Sequence, residues 1–143
     1  FDYERLIKIG FDYFYEIGDE DWVQYQISDT NLISETKLIK EMLKKIEIVK
    51  QVPTLENIKE LIANGNLIKC MVNSNVFENR SGFWGHAVLV VGFDEESIIY
   101  HDPGYPGEAF AVASNELFME ALLSEGEIIF EMDVFRYKQN SLG

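Results

Sequence analysis

Cysteine is almost absent from this sequence, since Cys70 is the single one among 143 residues. A lone cysteine excludes a disulfide within the chain, and proteins without disulfides are typical of reducing compartments. We therefore predict a cytoplasmic protein. Cys70 lies inside the apolar run 67–73, where a free cysteine usually behaves as a small core residue.

Basic residues are also scarce, with 12 lysines and arginines against 25 acidic residues and a formal net charge of −13. Such a surface repels phosphate groups, so neither nucleic acid nor anionic lipid is expected as a partner. No apolar run approaches the roughly 18 residues that a membrane-spanning helix needs. The sequence therefore predicts no membrane span.

The rest of the composition fits a globular protein. Hydrophobic residues make up 47% of the chain, which argues against disorder. The length is enough for one hydrophobic core, so we predict a single domain over residues 1–143. A natural reading frame begins with methionine, whereas this sequence begins with Phe1, so we expect further residues upstream.

The spacing of apolar residues predicts an α+β fold, because helices and runs of strands do not alternate regularly. The predicted helices end at Ile9, run from Ser34 to Ile46, follow the N-cap Thr54 and follow the N-cap Ser114. The predicted strands cover residues 11–17, 67–73, 84–93, 97–101 and the final segment 127–137.

The segment SGFWGHAVLVVGFDEESIIYHDPG, residues 81–104, indicates a β-hairpin with an ionisable residue near each open end. If residues 94–96 form the loop, Val88 lies opposite Asp102, and His86 and Asp102 are diagonal neighbours on one face. An aspartate that accepts a hydrogen bond from one imidazole nitrogen leaves the other nitrogen available as a base. The hairpin therefore predicts the base and the orienting group of a catalytic triad.

The register of this hairpin has two readings. A loop of three residues pairs Phe93 with Ser97 and brings Asp102 to the face of His86. A loop of two residues shifts the register by one and places His101 on that face instead. Periodicity leaves both open, although Pro103 favours an extended conformation at Asp102 and ends the strand there.

The segments GHAVLVVGFDEESIIYHDPG and VASNELFMEAL together resemble the second half of a papain-like cysteine peptidase domain, in particular the family that processes bacteriocin leaders of the double-glycine type. In that family a Gly-His pair opens an apolar strand, as at Gly85 and His86 here. A second strand ends in Asp-Pro, as at Asp102 and Pro103, and a Ser-led helix follows. The resemblance extends over roughly residues 53–123.

This resemblance implies a papain-like fold, in which N-terminal helices pack on a twisted antiparallel β-sheet. It implies hydrolysis of peptide bonds, with His86 as the base and Asp102 as the orienter, and it favours Asp102 over His101. It also implies a nucleophilic cysteine at the start of a helix near the beginning of the domain, preceded by a glutamine. The sequence contains no such motif, so either the motif lies before Phe1 or the protein has lost its nucleophile and kept the fold as a binding module.

Two further residues are candidates for substrate binding. Trp84 comes just before the predicted base and is a candidate for the border of a cleft, although core packing explains it nearly as well. Asn73 ends the preceding strand and is a candidate donor to a substrate backbone, although loop chemistry also explains it. The set His86, His101, Asp102 and Glu108 lacks compact metal-ligand spacing, so neither a metal nor another cofactor is expected.

Three functional interpretations follow. The first is a cysteine-peptidase-like domain that hydrolyses peptide bonds when complete. The second is a catalytically inactive peptidase-like module that binds a peptide or a protein partner. The third is a globular domain in which the pairing of His86 with Asp102 is accidental.

Overall fold

The structure, a computed structural model, describes residues 2–49, 51–124 and 131–136. The chain divides into two compact units, residues 1–51 and residues 52–143, and each is described by itself. The mixture of helices with an antiparallel sheet confirms the α+β class. A single domain over residues 1–143 stays a prediction. Within the described ranges, no helix has both the length and the apolar character needed to cross a membrane.

The first unit is helical. Its elements are α1 (Tyr3–Ile9), a 3-10 turn (Gly10–Tyr13), α2 (Phe14–Ile17), α3 (Glu20–Asp29) and α4 (Leu32–Met42). The side chains of Asp2, Asp19 and Asn31 accept hydrogen bonds from backbone N–H groups at the starts of α1, α3 and α4. Such caps satisfy donors that have no partner inside a helix.

The predicted strand over residues 11–17 is wrong, because these residues form the 3-10 turn and α2. Tyr13 and Phe14 are buried in the core of the helical unit, and Phe14 meets Trp22 edge-on with ring centroids 5.6 Å apart. The β-preference of aromatic residues mostly reflects packing on a half-buried surface. Here helical neighbours supply that burial, so packing overrides the local preference.

The second unit contains a five-stranded antiparallel sheet with the strand order β4-β3-β2-β1-β5. Its strands are β1 (Leu67–Asn73), β2 (Gly85–Phe93), β3 (Ser97–Asp102), β4 (Glu108–Ser114) and β5 (Met132–Phe135). Its helices are α5 (Leu55–Ala63), α6 (Ser74–Phe77) and α7 (Asn115–Leu123). Thr54 and Ser114 cap α5 and α7 as predicted.

Two strands of this sheet differ from the sequence prediction. β4 was not predicted, although Ala111 and Ala113 are buried while Phe110 and Val112 are exposed, which is the alternation of a half-buried strand. β5 falls inside the predicted final strand 127–137, of which residues 127–130 and 137 lie outside the described part of the chain. The prediction therefore stands untested at both ends of that segment.

The core of the second unit lies on one face of the sheet, against α5 and α7. Ile58 of α5 and Phe118 of α7 are fully buried there. Val72 of β1 and Tyr100 of β3 contribute from the sheet, and the ring of Tyr100 lies 5.8 Å from that of Phe118. The rows of side chains on this face continue beyond the core to the ends of β2 and β3, where the candidate site lies.

The β2–β3 hairpin departs from the predicted pairing at its loop. Phe93 pairs with Ile98 rather than with Ser97, so four residues lie between the first paired positions, although β3 itself begins at Ser97 after the three residues 94–96. A β-bulge at Val91 adds one residue to β2 and restores the predicted register beyond it, where Leu89 pairs with His101. The two departures cancel, and the faces of the open end are those that the three-residue loop predicted.

Candidate functional site

His86 and Asp102 are in direct contact at the open end of the hairpin. The Nε2 atom of His86 lies 2.6 Å from Oδ1 of Asp102, a hydrogen-bond distance between residues on neighbouring strands. His86 pairs across the sheet with the buried Val72 of β1, and Asp102 follows Tyr100 by two residues on β3. Both side chains remain partly accessible, with exposed fractions of 25% and 30%. The predicted contact is therefore confirmed.

The carboxyl group of Asp102 is held in its ionised form. Burial raises its pKa, but the hydrogen bonds from His86 and from the N–H of Gly104, together with the electrostatic attraction of His86, lower it, so the pKa of Asp102 lies below its ordinary value. An ionised carboxylate only accepts hydrogen bonds, so Nε2 of His86 carries the proton. That assignment leaves Nδ1 of His86 as the acceptor nitrogen of the neutral ring.

Gly104 is a third member of this arrangement, and the sequence analysis missed it. Its N–H donates a hydrogen bond of 2.7 Å to Oδ1 of Asp102, the same oxygen that faces His86. A Cβ atom at Gly104 would lie 2.8 Å from that oxygen and 3.5 Å from Cε1 of His86. A side chain at position 104 would therefore displace the carboxylate of Asp102. The only sign of this in the sequence is the glycine that follows Asp-Pro.

His101, the alternative partner, lies on the other face of the sheet. Its Nδ1 atom accepts a hydrogen bond of 3.1 Å from the N–H of Phe110, and its ring meets the Phe110 ring edge-on with centroids 4.6 Å apart. Neighbouring residues in a strand point to opposite faces, so His101 cannot replace Asp102 beside His86. The tertiary structure thus resolves the choice that the sequence left open.

Asn73 lies near this site but does not point a free amide toward it. Its Nδ2 donates to the carbonyl of Gly82 and to Oγ of Ser124, at 3.0 and 2.8 Å. Its Oδ1 accepts from the N–H groups of Asn75 and Trp84, at 3.2 and 2.9 Å. These four bonds use the full hydrogen-bonding capacity of the amide. Asn73 therefore organises the loop before His86, and its binding of substrate stays a prediction.

Trp84 presents its side chain to solvent from a fixed backbone. The residue is 69% exposed. The backbone carbonyl of Trp84 accepts hydrogen bonds from both the N–H and the hydroxyl of Ser74, at 2.9 and 3.2 Å. Its own N–H is bound by Asn73, so the backbone is held on both sides. The alternative role in core packing is excluded, whereas contact with a substrate stays a prediction.

Cys70 is a core residue. Its side chain is fully buried in β1, between Val88 of β2 and Met132 of β5 in the sheet. Burial, assisted by the charge of Asp133, raises the pKa of the Cys70 thiol to about 12. The thiolate is the reactive form of cysteine, so this environment makes Cys70 inert at neutral pH.

Two further exposed side chains next to the pair were not singled out as binding residues from the sequence. Tyr105 is fully exposed and follows Gly104 directly in the chain. Glu108 is exposed and pairs with Asp102 across β3 and β4. The charges of Asp102 and Glu108 both act on Tyr100, whose pKa is raised first by burial and then by these carboxylates. The residues adjacent to the pair in the chain and in the sheet therefore include an exposed aromatic residue and an exposed carboxylate.

Comparisons of this chain with protein-family models, with curated proteins and with solved structures found no match.

Proposed function

We propose that this chain is part of a cysteine-peptidase-like domain with a papain-like fold that hydrolyses peptide bonds when complete. The observation that carries the proposal is the 2.6 Å contact between Nε2 of His86 and Oδ1 of Asp102. The resemblance of residues 53–123 to the leader-processing peptidases supports the same assignment.

In the proposed mechanism Nδ1 of His86 takes the proton of a thiol, which then attacks the carbonyl carbon of the scissile peptide bond. The resulting imidazolium gives its proton to the nitrogen of the leaving amine, and water hydrolyses the thioester with the same histidine as the base. Asp102 fixes the orientation of the ring and stabilises its positive charge, as an aspartate does in other triads. Gly104 keeps the carboxylate in place through its N–H.

The nucleophile in this proposal is not Cys70. Cys70 belongs to the core of the sheet, and its pKa of about 12 leaves almost no thiolate at neutral pH. It is also the only cysteine in the sequence. The proposal therefore requires a thiol from outside residues 1–143, at a helix N-terminus, where the dipole and an imidazolium lower the thiol pKa.

The test uses the complete gene product with Cys70 replaced by alanine, so that alkylation reports only on the proposed nucleophile. We expect iodoacetamide to modify this cysteine rapidly at pH 6–7. His86→Ala should slow the reaction by about tenfold, because the thiol loses its ion-pair partner and most of its thiolate. His101→Ala, at a histidine on the opposite face, is the matched control and should leave the rate unchanged. An equal rate in the His86→Ala variant contradicts the proposal.

A second candidate function is a peptidase-like module that binds a peptide or a protein partner without cleaving it. The buried, unreactive Cys70 and the exposed Trp84, whose backbone is fixed by hydrogen bonds, favour this alternative for the chain as it stands. The complete gene product discriminates between the two. A cysteine that reacts in a His86-dependent way supports the enzyme, whereas a residue without a thiol at that position supports the binding module.

A further inference from the structure

We infer that Trp84, Tyr105 and Glu108 form a rim that binds a positively charged side chain of an extended peptide next to the His86–Asp102 pair. This inference rests on the proposed function, because it names the kind of peptide that the site accepts. The three side chains are called the aromatic rim below.

The three residues lie close to the His86–Asp102 pair along the chain or across the sheet. Trp84 precedes His86 by two residues, which limits their Cα separation to roughly 7 Å. Tyr105 follows Gly104, whose ideal Cβ position is 3.5 Å from Cε1 of His86. Glu108 lies opposite Asp102 in the sheet. Chain connectivity and sheet register therefore place the backbone of all three residues close to the His86–Asp102 pair.

The two aromatic residues of the rim are exposed, and hydrogen bonds fix the backbone that carries them. The exposed fraction is 69% for Trp84 and 104% for Tyr105, so neither ring serves the core. Hydrogen bonds to Asn73 and Ser74 fix the backbone of Trp84, and the bond from Gly104 to Asp102 fixes the chain directly before Tyr105. An exposed aromatic residue on a fixed backbone is an efficient contact residue because less conformational entropy is lost on binding than from a mobile loop.

The second unit is acidic, and this charge favours a positively charged ligand. The protein carries a formal net charge of −13, and acidic residues outnumber basic ones in residues 52–143 as well. The basic residues of the segment 52–124 already have partners. Lys59 binds the carbonyls of the β2–β3 loop, Lys69 binds Asp133, and Arg80 binds Glu78. The negative field near Asp102 and Glu108 therefore attracts a cation supplied by a ligand.

A guanidinium or ammonium group is the ligand that suits exposed aromatic residues next to a carboxylate. It stacks on the face of an indole or a phenol ring and pairs with an exposed carboxylate. An acidic side chain at the same place meets Asp102 and Glu108 and is repelled, while an aliphatic one gains only the aromatic contact. The aromatic rim therefore selects arginine or lysine near the bond that the pair acts on.

The experiment titrates the ¹⁵N-labelled chain with three acetylated and amidated pentapeptides that carry arginine, citrulline or glutamate between alanine pairs. The indole N–H signal of Trp84, assigned by its loss in Trp84→Phe, reports binding. We expect the arginine peptide to bind at about millimolar concentration and at least about threefold more tightly than the citrulline peptide. We expect the glutamate peptide to bind most weakly. Signal shifts that do not distinguish the three peptides overturn the inference, and so does the absence of shifts up to about 10 mM.

Substitutions then test whether the preference for arginine over citrulline comes from the aromatic rim. Glu108→Gln should remove the preference for arginine over citrulline, whereas Glu116→Gln, at an exposed carboxylate on α7, should preserve it. Trp84→Ala and Tyr105→Ala should each weaken binding of the arginine peptide about threefold, and phenylalanine at either position should largely restore it. In the Trp84 variants the backbone N–H signal of Gly104 reports binding in place of the indole signal. Unchanged affinities in Glu108→Gln and in both alanine variants overturn the inference.

The same titration on His86→Ala separates this inference from the proposed function. The rim does not include the imidazole, so the charge preference should persist in that variant. A persistent preference combined with no reactive cysteine in the complete gene product contradicts the peptidase and leaves the rim in place. A reactive cysteine without a charge preference contradicts the rim alone.

Discussion

Gly104 and His86 approach the same oxygen of Asp102 from two sides, at 2.7 Å from the backbone N–H and 2.6 Å from the imidazole Nε2. The carboxylate is thus fixed by one side chain and one backbone group. A substitution other than proline leaves this backbone donor in place, but an added side chain can displace the carboxylate that it binds. This relationship leads to the first prediction.

Gly104→Ala should break the contact between Asp102 and His86. The added methyl group would lie 2.8 Å from Oδ1 of Asp102, a separation that Cβ atoms do not tolerate, so the carboxylate must move. We expect the pKa of Asp102 to rise toward its ordinary value, measured by carboxyl ¹³C NMR, and the free energy of unfolding to fall by about 1–2 kcal/mol. Gly92→Ala in β2 is the control, because its Cβ would meet Ile99 at an ordinary 3.5 Å. An unshifted Asp102 in Gly104→Ala would show that the carboxylate does not depend on this glycine.

The stability that Asp102 contributes should depend on pH. The pKa of Asp102 is lower in the folded protein than its ordinary value of about 3.9, so the unfolded state binds more protons between the two values. The contribution is therefore fully present above about pH 4 and is lost as the pH falls through the folded pKa. Urea unfolding of the wild type and Asp102→Asn should differ by about 1 kcal/mol at pH 6 and by less at pH 3. A difference that grows on acidification would reverse the sign and refute this prediction.

Cys70 should resist thiol reagents in the folded chain. With a pKa of about 12, only about one thiol in ten thousand is ionised at pH 8, whereas an unfolded cysteine with a pKa near 8.5 is partly ionised there. Reaction with Ellman's reagent at pH 8 should therefore be slower by at least about a thousandfold in buffer than in denaturant. Rapid modification of the native chain would contradict the buried position of this thiol.

Substituting Cys70 should reveal its role in packing. Cys70→Ser buries a hydroxyl group among apolar side chains of the sheet and should cost about 1–3 kcal/mol of unfolding free energy. Cys70→Val keeps the site apolar and should cost less than the serine substitution. Chemical denaturation of both variants measures the difference, and a serine variant as stable as the valine variant would argue against an apolar site.

Asn73→Ala should loosen the loop that carries Trp84. The substitution removes four hydrogen bonds, including the one that holds the N–H of Trp84, and should cost about 2–4 kcal/mol. Hydrogen exchange at the Trp84 amide should accelerate. Asn75→Ala is the matched control, because the Asn75 side chain donates one hydrogen bond, to the carbonyl of Ser81, and its loss should cost about 1 kcal/mol. Equal effects of the two variants would show that Asn73 does not organise the loop.

Short-range sequence features were enough to predict several helices and strands of the second unit. The cap residues Thr54 and Ser114 place the starts of α5 and α7, and the apolar run 67–73 coincides with β1. These features are predictable because a cap or an alternating strand depends on a few adjacent residues. The same reasoning failed at residues 11–17, where aromatic side chains form a helical core whose packing partners lie elsewhere in the chain.

The sequence by itself determined that a histidine and an aspartate lie near the open end of one hairpin. Strand alternation assigns the residues of each strand to its two faces, but it does not fix the register between the strands. Only the tertiary structure decided that Asp102 rather than His101 meets His86. That decision depends on the bulge at Val91, which offsets the one-residue shift in pairing near the loop. It also depends on the N–H of Phe110, which donates a hydrogen bond to His101 on the other face. Register is a balance among many weak contacts between separate strands, so it is settled when the whole sheet assembles.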